Sequence, residues 1–314
     1  MHSQLESIDS ENGARTVFDS ESAISEWHDT DAVMERLNAL LAQPPRTIRR
    51  ENMDKVLRWF EDNCRKSKEL AEQAAAVIPG GIQHNLAFNY PHPLAITEAN
   101  GAWMTDADGN RYIDFLQAGG PTLLGSNYEP VRRKIEELLE DCGPTTGLLH
   151  EYEVKLADLV CRHMPAVDMV RMLGSGTEGV MAAIRVARAH TGKKWIIKMG
   201  GGYHGWSDQM VYGMRVPGTG RRDAVGIPRA NTSKIHESFP HDLAALRRKL
   251  QLNRLSGGTA AVIVEPVGPE SGTRPVQKNF NAELRSLCDE FCCLLIFDEV
   301  VTGFRLGLSG AQGY

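Results

Sequence analysis

Four short segments carry residue types that could hold an anionic, aromatic ligand. The first is Gly174-Ser175-Gly176-Thr177-Glu178-Gly179. Small residues let backbone N–H groups approach an anion, Ser175 and Thr177 add hydroxyl donors, and a following helix presents its positive end. The pattern suits a phosphate; a tight strand-to-helix turn capped by Thr177 is the other reading. The second is Gly200-Gly201-Gly202-Tyr203-His204-Gly205-Trp206. Tyr203 offers a ring to lay against a flat ligand, and His204 could hydrogen-bond or stack. An aromatic turn packed on the core would look the same. The third, Val264-Glu265-Pro266-Val267-Gly268-Pro269-Glu270, places a carboxylate directly after an apolar run. In the fourth, Phe297-Asp298-Glu299-Val300, two carboxylates close such a run. A buried carboxylate needs a cationic partner. Arg305 or a helix end could serve. So could a protonated pyridine nitrogen, and a carboxylate holding that nitrogen charged makes the ring an electron sink.

The first segment also matches the Gly-x-Gly-x-x-Gly dinucleotide pattern. That pattern expects an acidic residue about 20 positions on, to hold ribose hydroxyls. Here the place reads Lys198-Met199-Gly200-Gly201, with no carboxylate. Lys198 could meet a ribose phosphate, a minor reading. A phosphate cradle, a stacking ring and a carboxylate together suit pyridoxal phosphate better than a nicotinamide.

These segments must be held by regular elements. Beyond residue 128 the pattern alternates: helices over 129–140 and 151–163, strand 169–173, helix 178–190, strand 195–199, helix 241–252, strand 260–264, helix 281–291 and strand 294–297. Alternation of this kind predicts a doubly wound, largely parallel sheet in an α/β fold, with ligands at the carboxyl ends of its strands. Upstream, apolar spacing predicts helices over 24–41 and 53–77. Short strands over 94–99, 102–106 and 111–115 form a small antiparallel sheet around the turn Asp106-Ala107-Asp108-Gly109-Asn110. Asp-x-Asp-Gly also begins a calcium loop, but the downstream Glu is missing and strands flank it. The expected organisation is a loose polar arm over 1–22, helices and a small sheet over 23–127, and a ligand-binding domain over 128–314.

Composition narrows the class. The 314 residues are 42% hydrophobic and 24% charged, with a net charge of −5. Those values exclude a disordered or collagen-like chain and give no basic field for nucleic acid. The longest apolar runs fall far short of the ~20 residues of a membrane span, and no secretory leader is visible. The six cysteines form no Cys-x-x-Cys pair; buried free thiols of a cytoplasmic protein are expected.

The chain resembles the class III, fold-type I pyridoxal-phosphate aminotransferases, and within them the glutamate-1-semialdehyde aminomutase subfamily. The resemblance rests on Ile78-Pro-Gly-Gly, on Met104 through Phe115, and on Ser175-Gly-Thr-Glu with Ala183-Ile-Arg-Val-Ala-Arg. It continues through Gly202-Tyr-His-Gly, Ile263-Val-Glu-Pro-Val, and Phe297-Asp-Glu-Val-Val-Thr-Gly-Phe-Arg to Ala311-Gln-Gly-Tyr. It implies that Ser175, Gly176 and Thr177 bind the cofactor phosphate. Tyr203, with His204 beside it, would stack on one face of the ring and Val300 pack on the other. Asp298 would pair with the pyridine nitrogen, and Glu265 and Glu270 would lie near the ring hydroxyl and Tyr203. Asp298 and Tyr203 are the catalytic candidates.

The resemblance implies small amino and carbonyl substrates, and a homodimer at full length. Two departures from the aminomutase pattern leave aminotransferase and aminomutase both open. Ile82 to Tyr90 contains no arginine, and Gln117 to Pro121 no tryptophan. The family's Schiff-base lysine lies beyond the Asp-Glu-Val motif, and Lys194, Lys198 and Lys278 are not in its context. The chain is therefore expected to be C-terminally truncated and inactive alone, with strand 169–173 short of a neighbour. A catalytically dead relative that binds the cofactor or a partner is the alternative. Residues 216–233 are expected to form a lid.

Overall fold

The computed structural model describes residues 27–84, 87–143, 147–214 and 224–313. The polar arm lies outside the described residues, as does the first half of the expected lid. The chain divides into two compact units: residues 38–151, and residues up to 37 together with 152 onward. Helix α1 (Thr30–Leu41) runs across the first division. No described helix is long and apolar enough to cross a membrane.

In the unit 38–151, the helix expected over 53–77 is two helices, α2 (Arg50–Asn63) and α3 (Arg65–Val77). They part at Cys64, whose backbone is non-helical at φ −126°, ψ 43°. The cause is a distant side chain. Asp108 accepts the free N–H groups of the new helix start, from Lys66 at 2.8 Å and Ser67 at 3.0 Å, and the Ser67 hydroxyl at 3.1 Å. Asp108 belongs to the turn between β2 (Trp103–Asp106) and β3 (Arg111–Ile113), which with β1 (Ile96–Asn100) form the expected antiparallel sheet. Asp106 closes that turn on itself. It accepts Asp108 N at 3.0 Å, Asn110 N at 2.8 Å, Asn110 Nδ2 at 2.9 Å and the Tyr112 hydroxyl at 2.7 Å. Burial pushes the Asp106 carboxyl up, but the bonds from Asn110 and Tyr112 outweigh it and hold it below its ordinary value. The carboxylates of the Asp-x-Asp-Gly motif thus serve backbone caps. No group of three or more metal-ligating side chains occurs among the described residues. Helix α4 (Glu129–Cys142) follows.

The other unit carries the parallel sheet. It contains α5 (Glu151–His163), α6 (Gly176–Thr191), β4 (Trp195–Met199), α7 (Arg229–Thr232), β5 (Ile235–Ser238) and α8 (Leu243–Arg254). Then come β6 (Thr259–Val264), α9 (Pro269–Gly272), α10 (Phe280–Glu290) and β7 (Leu294–Phe297). The strand order is β5-β4-β6-β7, all parallel. The central strand β6 is buried along its whole length, as a strand covered on both faces must be. Val262 and Val264 join Leu246 and Leu250 of α8 and Leu284 and Leu287 of α10 in one core. Ala261 and Ile263, one step out of phase, join Val180, Ile184 and Ala187 of α6 in the other. Helices on both faces make this a doubly wound α/β sheet.

Three readings of the sequence fail here. Residues 169–173 form no strand. A strand is defined by its ladder, and this apolar run pairs with none among the described residues; Met169 and Met172 stand exposed. Conversely, β5 went unrecognised because Ile235-His236-Glu237-Ser238 has a single aliphatic residue, although three of the four are buried. Nor are all six cysteines buried thiols: Cys64, Cys288 and Cys293 are buried, whereas Cys142 and Cys292 are exposed.

Candidate functional site at the strand carboxyl ends

Strands β4, β6 and β7 end side by side, and the segments after β4 and β7 meet the start of α6. Ser175 is the N-cap of α6, its hydroxyl accepting from Glu178 N at 3.2 Å. The first N–H groups of a helix have no partner within it, and Ser175 and Gly176 are exposed. The 174–177 loop is pressed against its neighbours. A Cβ on Gly176 would lie 2.8 Å from Val300 Cγ2, and one on Gly205 would lie 2.5 Å from Thr177 Oγ1. Gly205 also has φ +83°, which L side chains resist. Neither place accommodates a side chain, so the loops after β4 and β7 both touch the start of α6.

The loop after β4 is fixed from β6. Glu265, buried one residue past β6, accepts Tyr203 N at 2.9 Å and Glu270 N at 3.2 Å. The Tyr203 side chain itself is largely open, the residue being 54% exposed. His204 is 1% exposed. Its Nδ1 lies 2.7 Å from Asp298 Oδ2, the first residue past β7. Asp298 is also buried, and its Oδ1 accepts Val300 N at 3.1 Å. Against an ionised Asp298, the proton sits on Nδ1. The other ring nitrogen, Nε2, is buried and meets no hydrogen-bond partner among the described residues. Val300 is exposed beside Gly176.

The structure therefore gathers Ser175, Gly176, Thr177, Tyr203, His204, Glu265, Asp298 and Val300 at one place. Two relations were not readable from spacing. Asp298 takes its hydrogen bond from His204, 94 residues away, and not from Arg305. Glu299, next to Asp298, points elsewhere. Its oxygens accept Thr302 Oγ1 at 2.8 Å, Ala311 N at 2.6 Å, and Gln312 N and Nε2 at 3.1 Å each. Glu299 thus holds the chain after β7 in place. Lys198, weighed as a ligand for a ribose phosphate, is fully buried inside the sheet.

The family profile of class-III aminotransferases matches residues 86–312. The glutamate-1-semialdehyde 2,1-aminomutase 1 of Lachnoclostridium phytofermentans is 42% identical over 256 residues, 79% of this chain and 59% of that protein. The solved omega-transaminase of Sphaerobacter thermophilus superposes with TM-score 0.75 at 29% identity, over 81% of this chain and 59% of that one. A solved transaminase with pyridoxal phosphate bound gives TM-score 0.71 at 30% identity, over 79% and 58%. The chain spans a little under three-fifths of the length of these relatives. With the profile matched along most of its length and the fold shared, the chain belongs to the class-III aminotransferase family.

Proposed function

We propose that the protein containing this chain is a pyridoxal-phosphate-dependent transaminase. It would move an amino group from an amino acid or amine to a carbonyl acceptor. The observation that carries the reading is the buried His204–Asp298 pair at the carboxyl ends of parallel strands, facing a small-residue loop at a helix start. The residues fit the cofactor. Ser175, Gly176 and Thr177 at the α6 N-terminus would hold the phosphate. Asp298 would hold the pyridine nitrogen, Tyr203 and Val300 would bracket the ring, and Glu265 would lie near its hydroxyl.

Bound there, the cofactor supplies an electron sink for the electrons left when a proton departs from a substrate carbon. The chain's own contribution is electrostatic and positional. The N–H groups of His204 and Val300 hold the Asp298 carboxylate in place, and a carboxylate set there would favour a proton on the ring nitrogen it meets. The α6 terminus and the two hydroxyls fix the opposite end of the ligand. Glycines at 176 and 205 let the loops close without side chains between them.

Amino-group exchange between two carbons of one substrate is the second reading, supported by the names of the curated relatives. The absence of arginine from residues 82–90 favours exchange between two separate substrates. We place the protein in the cytoplasm as a homodimer, with residues 128–314 as its cofactor-binding domain.

The test uses pyridoxamine 5′-phosphate, whose amine does not condense with surface lysines. Quenching of tryptophan fluorescence should saturate, inorganic phosphate should compete, and Asp298→Ala should abolish the effect. Quenching that does not saturate, or that survives Asp298→Ala unchanged, would sink the reading.

A further inference from the structure

We propose that Lys198 is a positioning residue for Tyr203, acting through the peptide group that joins Gly202 to Tyr203. The inference rests on the reading above, in which Tyr203 lies against the ligand ring.

Lys198 sits in β4, with no exposed surface. A lysine is almost never buried so completely unless its amine is hydrogen-bonded. Here Nζ donates to Gly202 O at 3.1 Å and to Met210 O at 3.0 Å. Gly202 O and Tyr203 N belong to the same peptide group. The N–H end of that group donates to Glu265 Oε1 at 2.9 Å. One planar unit is therefore gripped at both ends, by a side chain of β4 and by the residue that follows β6.

This grip sets Tyr203. Rotating the peptide plane changes φ of Tyr203 and swings its ring. The residue is 54% exposed, so the ring's direction comes chiefly from its backbone. Two further contacts tighten the place. Gly202 N donates to Met199 O at 3.3 Å. A Cβ on Gly202 would lie 3.0 Å from His204 Nε2 and 3.4 Å from Glu265 Oε1. The bond to Met210 O ties a second point of the same loop to the same amine. Lys198 thus acts on the site from inside the sheet, without touching a ligand.

Two measurements on the 314-residue chain test this. The first is hydrogen exchange at the Tyr203 amide without ligand. The second is pyridoxamine 5′-phosphate affinity in a cycle of K198M, Y203A and the double variant. K198M should speed Tyr203 exchange, and weaken binding about tenfold when Tyr203 is present. In the Y203A background it should change affinity less than about twofold, because the two residues act as one unit. Unchanged Tyr203 exchange in folded K198M, or an equal loss of affinity in both backgrounds, overturns the proposal. Should K198M fail to fold, E265Q loosens the other end of the same peptide. It should reproduce both effects in weaker form, and unchanged exchange there overturns the proposal equally. If exchange responds as expected but the parent chain does not bind the probe, the functional reading falls and takes the positioning role with it.

Discussion

Two turns in this molecule look alike in sequence and differ in what surrounds their carboxylates. Asp106-Ala107-Asp108-Gly109-Asn110 and Phe297-Asp298-Glu299-Val300 each set two acidic residues at or just past the end of a strand. In the first, both oxygens of Asp106 and of Asp108 accept hydrogen bonds from backbone or side-chain donors of the same unit. In the second, Glu299 is engaged in the same way, but Asp298 leads to His204, and His204 ends in a buried nitrogen without a partner among the described residues. Buried polar groups are almost always paired. A closed set of bonds marks scaffolding; the set that runs from Asp298 to His204 is the one proposed to hold a ligand.

The sharpest way to break this contrast is to remove Asp298. Asp298→Ala should abolish detectable pyridoxamine 5′-phosphate binding. It also strands His204 Nδ1, which should lower stability by about 1–3 kcal/mol, read by denaturant unfolding. Retained binding would mean that the open network is not the site. Asp106→Asn should do the reverse. Weakening a centre of four bonds should lower the stability of the 38–151 unit by about 2–3 kcal/mol while affinity stays within about twofold of the parent.

Acid should separate the two regions as well. The folded pKa of Asp106 is depressed below 3.8 by bonds that outweigh its burial. For a depressed carboxylate, the added stability is present above the unfolded value and lost as pH falls through the folded one. Asp108 shifts the same way, the N–H groups of Lys66 and Ser67 outweighing its burial. Unfolding of the 38–151 unit should therefore be insensitive to pH above about 5 and ease below about 4. Asp106→Asn should flatten that slope in acid titrations followed by circular dichroism. An unchanged slope would refute the assignment.

Smaller effects probe the cradle. Gly205→Ala forces a side chain into positive φ and against Thr177, at about 1–2 kcal/mol of stability, and should weaken binding of the phosphate end. Ser175→Ala removes the α6 cap, for about 1 kcal/mol. It should also weaken competition by inorganic phosphate more than it alters the Asp298-dependent part of binding.

Much of the candidate site was legible because its residues stand next to elements with strong local patterns. Trp195–Met199 and Leu294–Phe297 read as strands and are strands with those bounds. Gly-Ser-Gly-Thr before an apolar helical face read as a helix start, and Ser175 is its cap. What escaped was non-local. The break at Cys64 depends on Asp108, more than 40 residues away. The polar strand Ile235–Ser238 is recruited by pairing with β4, and the apolar run 169–173 finds no ladder among the described residues despite its composition.

By itself, the sequence determined the alternation of strands and helices, the small-residue loop, and the aromatic and acidic residues that follow the strands. Those features follow from local propensity, side-chain periodicity and backbone freedom, which act within a few residues. Only the tertiary structure decided which donors each carboxylate meets. Asp298 and Glu299 are neighbours in the chain, yet one meets His204 and the other meets Thr302, Ala311 and Gln312. A carboxylate's role is set by the donors that reach it in three dimensions, and those donors come from distant parts of the chain.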